Sequence, residues 1–353
     1  MRRNIIRTKL KKTWLIPIVL FCLATFGLWQ YAQQQGDLQD PNLEPIASIT
    51  LPTVNSTAID EPIQPLPVNV NLNPEKVKLG EKLFNEPRLS RNNSISCASC
   101  HKLQLGGTDQ MTISLGIYGR PGTVNTPTVF NSGFNFKQFW DGRAETLFEQ
   151  IDGPIHSSKE MDSNWPEIAN KLKQLPEYVA MFKATYSGHL NSDTIKDAIA
   201  TFERSLITPN SRFDRFLRGD KAALSIQEKE GYRRFKAYGC ITCHQGINVG
   251  GNMFQGFGVF GNYFHDRGSE TKADLGRYNV TGDERDRYVF KVPSLRNVSL
   301  TAPYFHDGSA QTLTEAVEIM GKYQLGRPLS EEDVDFIVRF LTTLTGKYRG
   351  EPL

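Results

Sequence analysis

The stretch SISCASCHKLQLGG, residues 94–107, puts Cys97, Cys100 and His101 within five positions, and the same spacing returns at Cys240, Cys243 and His244 in GCITCH. Only five cysteines occur in the chain, so four of them are committed to this one pattern. A redox-active C-x-x-C has no need of a histidine at the next position in both copies, and a zinc site built from two cysteines and two histidines places its histidines well downstream. Two thiols at this spacing can add across the vinyl groups of a haem while the adjacent imidazole reaches the iron, which is c-type attachment. The pattern therefore predicts two covalently bound c-type haems, with His101 and His244 as iron ligands.

The chain also repeats itself outside the motifs. NTPTVFN at 125–131 is similar to KVPSLRN at 291–297, and DGRAETL at 141–147 is similar to DGSAQTL at 307–313. Motif, proline segment and Asp-Gly segment recur in the same order, as in a duplicated domain. Each motif follows a helix signal. Asn73 and Pro74 suit the cap and first turn of a helix that puts Val77, Leu79, Leu83 and Phe84 on one broad side. Ser225 and Glu228 form a capping box ahead of Tyr232 and Phe235. A last helix is expected from Ser330, with Glu331, Glu332 and Asp333 in its first turn and Ile337, Phe340, Leu341 and Leu344 facing inward. The second copy is longer, and its excess falls in the glycine-rich 246–270, read as loop. Long alternating runs are absent, so the expected fold is mainly α, in two haem domains spanning 73–222 and 223–353.

The first twelve residues carry six basic side chains and no acid, and they precede an apolar run from Trp14 to Trp29. This is an export signal, either an uncleaved membrane anchor or a cleaved signal peptide, contained in residues 1–32. The run is near the lower length limit for spanning a bilayer, and no A-x-A site follows it. Cys22 lies inside the run after Phe21, where a lipoprotein site would have a small residue. Removing the six basic charges takes the formal net charge from +3 to −3, so the basicity is a topology signal and nothing points to nucleic acid. Residues 33–72 are rich in proline and poor in large apolar side chains, and are read as an extended tether. Export agrees with covalent haem attachment, which takes place outside the cytosol.

Taken together, the segments CASCHKLQLGG, NTPTVFNSGFNFKQFWDGRAETLFEQIDGPI, KEM, CITCH, VPSLRNVSLTAPYFHDG and EAVEIMGKYQLG resemble those of the bacterial di-haem cytochrome c peroxidase family over residues 73–349, with MauG-like di-haem enzymes as more distant relatives. The resemblance implies two class I cytochrome c-like domains arising from duplication. It implies that the second haem receives electrons and has Met320 as its other ligand, a thioether that favours ferrous iron. MauG-like enzymes use tyrosine there; Tyr323 lies three residues on, but the aligned residue is Met320. The first haem would be the peroxide site, with Glu160 as the acid-base group and Gln150 orienting the substrate. Trp140 matches an aromatic residue between the two haems. Asn125 and the carbonyls of Thr301 and Pro303 match a calcium site. Asp141, Arg143 and His306 would serve haem propionates or the interface. Many relatives close the resting peroxide haem with a loop histidine, whereas here Ile117, followed by Tyr118, stands at that place. The first haem is therefore expected to be open at rest. His156, His189 and His265 are read as surface residues.

The activity implied is two-electron reduction of hydrogen peroxide, with electrons from a small reduced cytochrome c or cupredoxin. An extracytoplasmic or periplasmic location and a homodimer go with it. Two other readings stay open: a MauG-like oxidase acting on a protein or organic substrate, and a di-haem electron carrier without peroxide chemistry.

Overall fold

Helix α1 (Pro74–Phe84) begins at Asn73, whose side chain accepts hydrogen bonds from the amides of Glu75 and Lys76, two donors the first turn cannot satisfy itself. It belongs to a computed structural model that describes residues 61–353; the export segment and the tether as far as residue 60 lie outside the described residues. Short helix α2 (Cys97–Cys100) carries the first motif. It is followed by α3 (Leu147–Gln150), α4 (Asp152–His156), α5 (Trp165–Lys173), α6 (Pro176–Tyr186), α7 (Ser192–Ser205) and α8 (Arg212–Leu217). The second half contains α9 (Ile226–Ala237), α10 (Tyr263–Arg267), α11 (Tyr278–Thr281), α12 (Leu313–Ile319) and α13 (Glu331–Thr342).

Two helix crossings organise the core. Helix α1 packs on α7, and α9 packs on α13. Each crossing is made close by a glycine: a Cβ on Gly80 would lie 2.0 Å from the Ala198 carbonyl oxygen, and one on Gly231 would lie 1.9 Å from that of Phe336. No side chain fits at either point, so the backbones approach as nearly as they can. Around the first crossing lie Leu79, Leu83, Ile195, Ala198 and Ile199; around the second lie Tyr232, Phe235, Val334, Ile337, Phe340 and Leu341. The inward face expected for the last helix is thus the buried one.

The repeated segments adopt matching backbones. Asn131 and Asn297, equivalent in the two copies, both take the left-handed conformation (φ 60° and 61°), and both hydrogen-bond the buried Thr208. Phe139 and Phe305 share φ near 70°, each inside a tight turn closed by a bridge, Gln138 to Ala144 and Tyr304 to Ala310. Thr146 and Thr312 then cap α3 and α12 by accepting from Glu149 N and Glu315 N.

Two features depart from the sequence reading. The glycine-rich insertion is not loop throughout: it contributes strand β1 (Phe254–Gly256), paired antiparallel with β2 (Val289–Lys291), and helix α10. A second small pair, β3 (Lys347–Tyr348) with β4 (Glu351–Pro352), ends the chain. Residues 61–72, expected to belong to a detached tether, are irregular but bound down. Ile63 and Leu66 are fully buried, the Leu66 amide donates to Asp214, and the buried Arg296 guanidinium bridges Asp214 and the Gln64 carbonyl. A segment with few apolar side chains can be held this way when its main chain finds fixed polar partners. Among the described residues no helix is long and apolar enough to cross a membrane; the segment expected to do so lies outside them.

Candidate functional site

The two motifs present their histidines in the same way. His101 Nδ1 lies 3.3 Å from the Gly107 carbonyl oxygen, and His244 Nδ1 lies 3.4 Å from that of Val249. A second carbonyl, of Pro127 and Pro293 respectively, also faces each ring, and these prolines are equivalent positions of the repeat. A carbonyl only accepts, so the proton sits on Nδ1 and Nε2 keeps its lone pair, the state a metal-bound imidazole needs. Burial lowers both imidazole pKa values, that of His244 to about 4, so the rings stay neutral near pH 7. All four motif thiols are free and half-buried. Burial pushes Cys100 and Cys240 up to about 11 and raises Cys97 and Cys243 as well. Unpaired, protonated thiols beside a neutral imidazole are a donor set that fits c-type haem at both places.

A further residue, not singled out from the sequence, supports the fit. Lys291 is 7% exposed, its amide donates to the Trp140 carbonyl at 2.8 Å, and burial alone lowers its ammonium to about 8. No carboxylate among the described residues pairs with it, whereas a haem brings two propionates. A buried cation lacking a protein anion is the environment such a group can complete. One lysine inside an apolar strand, with its neighbours far away in sequence, left no local signal.

Glu160 follows α4 in a turn, its amide donating to the Ser157 carbonyl. The side chain is open to solvent, yet enough protein surrounds it for burial to raise its carboxyl above the ordinary range, against the Ser157 hydrogen bond and the Arg143 charge. After burial and Asp109, its charge is one of the influences that raise Cys100, which sets it on the side of the first motif. The loop containing Ile117 is clipped onto the same turn. The Ile117 amide donates to the Glu160 carbonyl at 2.8 Å, Arg120 donates to the Ser158 carbonyl at 2.7 Å, and a Cβ on Gly116 would lie 2.0 Å from the Lys159 oxygen. Ile117 is fully buried and Tyr118 is exposed. Gln150 is half-buried at the end of α3.

Trp140 is half-buried where the two halves meet; its indole Nε1 donates to the Asn125 carbonyl at 2.9 Å, and its ring meets the edge of His306 at 6.4 Å. The Asn125 amide donates to the His306 carbonyl at 2.7 Å, so the first half is tied to the segment that contains Thr301 and Pro303. The Asn125 side-chain amide donates to Met111 and Thr112 carbonyls. Nearby, His306 is within 2.7 Å of Asp274. Burial acts to raise Asp274, but hydrogen bonds from His306, Arg267 and Thr271 hold it well below the carboxylate range. Asp274, His306 and Asp307 come within reach of one another as metal ligands do, yet Arg267 already binds both acids. Met320 begins a wide turn of π-helix (Met320–Gln324) after α12, with Ala316 and Val317 buried on the preceding turn. Asp141 and Arg143 pair with each other at 2.8 Å. His156, His189 and His265 are exposed, as expected.

Residues 74–222 match the family model described as di-haem cytochrome c peroxidase. The chain is 51% identical over 292 residues to cytochrome c551 peroxidase of Nitrosomonas europaea, covering 82% of this chain and 85% of that protein. The chain belongs to the bacterial di-haem cytochrome c peroxidase family. It is also 49% identical to cytochrome c peroxidase Ccp of Escherichia coli K12, over 82% of this chain; it spans only 62% of that longer relative. Among solved structures, a MauG-like protein associated with microbial copper homeostasis matches with a TM-score of 0.71 at 28% identity, covering 83% of this chain and 96% of that one. As a di-haem cytochrome c peroxidase the chain is an oxidoreductase acting on peroxide, and its mainly helical architecture and paired haem motifs are those of the family.

Proposed function

We propose that the half spanning 73–222 holds the peroxide-reactive haem, that the half spanning 223–353 holds the electron-transfer haem, and that the two arose by duplication. The observation that carries this division of labour is Glu160, an acid raised above its ordinary range on the side of the first motif; the second half offers Met320, which the repeat sets opposite Pro154. When bound, the haems supply redox-active iron: one where peroxide is reduced, one where an electron is stored. His101 and His244 would each hold iron through Nε2, their rings oriented by the Gly107 and Val249 carbonyls on Nδ1. Met320 would complete the second site. Glu160 moves a proton from one peroxide oxygen to the other, so that the departing oxygen leaves as water; two electrons from the donor and two protons from solvent turn the remaining oxygen into a second water. Gln150 orients the substrate by hydrogen bonding. Ile117, with no donor atom and a clipped main chain, would offer the first haem no ligand, so that its open position stays free at rest.

Trp140 lies on the route between the halves, and Lys291 beside it would pair with a haem propionate. Asn125 with the carbonyls of Thr301 and Pro303 holds a calcium ion that fixes one half against the other. Electrons arrive singly from a small reduced cytochrome c or cupredoxin on the extracytoplasmic side, with the chain exported through residues 1–32 and acting as a homodimer. The test is turnover of the holoprotein with hydrogen peroxide and a reduced small cytochrome c. Two donor molecules should be oxidised per peroxide consumed. Peroxide consumed without oxidation of any small redox protein would favour a MauG-like oxidase instead.

A further inference from the structure

The glycine-rich insertion that lengthens the second half does not fold back as inert loop. It delivers Phe257, Tyr263 and Phe264, which join Tyr288, Phe290, Phe305 and Tyr323 in one aromatic cluster, and Trp140 packs against it. The rings are contiguous. Trp140 meets His306 at 6.4 Å between centroids, His306 meets Phe264 at 5.9 Å, and Phe264 stacks on Tyr288 at 4.6 Å. A branch runs from Phe264 to Tyr263 at 5.4 Å and on to Tyr323 at 5.2 Å.

Both branches end in a phenol with a base in place. Tyr323 donates to Asp266 at 2.9 Å, and Tyr288 donates to Glu270. Tyr263, in mid-branch, meets only the Ser309 hydroxyl, at 2.7 Å. A phenol gives up an electron readily only when its proton leaves with it, so the two carboxylate-bound tyrosines are the termini, and Tyr263, with no base, serves only to keep the rings in contact between Phe264 and Tyr323. Asp266 and Glu270 are exposed, and Tyr263, Tyr323, Asp266 and Lys322 line one surface pocket, so both ends are in reach of solvent.

We propose that this cluster is an exit for oxidising equivalents, which carries them from Trp140 to Tyr288 and Tyr323 when peroxide arrives without an electron donor. It rests on the reading of the first half as the peroxide site and of Trp140 as the link between halves. At each terminus the O–H bond breaks; the electron passes along the rings toward Trp140 and the proton passes to the carboxylate. Two phenols together give the two electrons that one peroxide takes, and with two protons from solvent the products are two waters, two neutral tyrosyl radicals and two protonated carboxyl groups. A one-electron reductant in solution, such as a thiol or ascorbate, restores the phenols. The site is thereby spared oxidation of its own ligands.

The experiment mixes the holoprotein with hydrogen peroxide in the absence of donor, freezes it within the turnover time and records electron paramagnetic resonance. Repeated peroxide additions followed by peptide mass spectrometry map oxidised residues. A neutral tyrosyl signal is expected, reduced tenfold or more in the Tyr288→Phe/Tyr323→Phe double variant, with oxidation products on those two residues in the parent. Because Tyr323 is buried, Asp266→Asn combined with Glu270→Gln provides a second route: it keeps both rings, removes both bases, and should slow radical formation at least tenfold. Tyr178→Phe, which removes another carboxylate-bound phenol, paired with Glu86 in the first half's core, should leave the signal unchanged. Peroxide consumed with no tyrosyl signal, or with a signal undiminished in both double variants, overturns the relay alone. Peroxide not consumed at all overturns the peroxide-site reading and the relay with it.

Discussion

Replacing Glu160 by glutamine tests its proposed acid-base role. The substitution preserves the turn, because the Glu160 contact with Ile117 is made by its main-chain carbonyl, and the new amide can still meet Ser157. Folding should change by no more than about 0.5 kcal/mol, the range of substitutions on an accessible side chain. The chemistry should change far more. A positioned proton carrier contributes roughly 10²–10⁴ in rate, or about 2.7–5.5 kcal/mol of barrier. Burial raises the parent carboxyl, so the ionised base is populated only above a pH higher than for an ordinary glutamate. The parent's peroxide step should therefore rise with pH through that displaced ionisation, and the variant should be slower and lack the rise. Stopped-flow mixing with peroxide across pH reads both, while the resting optical spectrum checks that the haems are undisturbed. A variant as fast as the parent, or one with the same pH limb, would refute the assignment of Glu160.

Met320→His should keep a low-spin second haem but lower its potential, since imidazole stabilises ferric iron better than a thioether does; potentiometry that shows no shift would remove Met320 from the ligand set. Glu203, buried in α7 with one carboxylate oxygen lacking a partner, is pushed up to about 8 by burial against the opposing Arg204 charge. Its folded-state pKa is raised, so the folded chain holds the proton longer than the unfolded chain, and stability falls as pH rises from about 4.5 to about 8. Glu203→Gln should flatten that slope, with a higher thermal midpoint than the parent at pH 8.5 and little difference at pH 4; equal midpoints at both would contradict it.

What the sequence made legible follows from how local each signal is. Both haem motifs, the capped starts at Asn73, Ser225 and Ser330, and the inward faces of α1 and α13 depend on residues within one or two turns, and all are where the pattern puts them. The pairing of Asn131 with Asn297 through Thr208 was visible only as a repeat, since no spacing shows that equivalent residues meet. Strand β1 was hidden because three residues, the last of them a glycine, carry too little periodicity. Ile63 and Leu66 were hidden because what holds this segment is far away in sequence: Ile63 packs among Phe213, Leu224 and Tyr232, and Asp214 and Arg296 bind the main chain of Leu66 and Gln64. Lys291, Glu203 and the Asp274–His306 pair escaped for the same reason: desolvation and partner are tertiary properties. The site residues Glu160, Gln150, Trp140 and Met320 came from resemblance, and composition alone would have passed over each.

We propose that the peroxide-reactive haem of the first half is open at rest, because Ile117 stands where the resemblance would put a closing histidine. Electron paramagnetic resonance of the air-oxidised holoprotein, followed by stopped-flow mixing with hydrogen peroxide without prior reduction, tests it most directly. One high-spin or water-bound ferric haem, one low-spin haem and immediate reaction with peroxide are predicted. Two low-spin haems and no reaction, even after partial reduction, would contradict it.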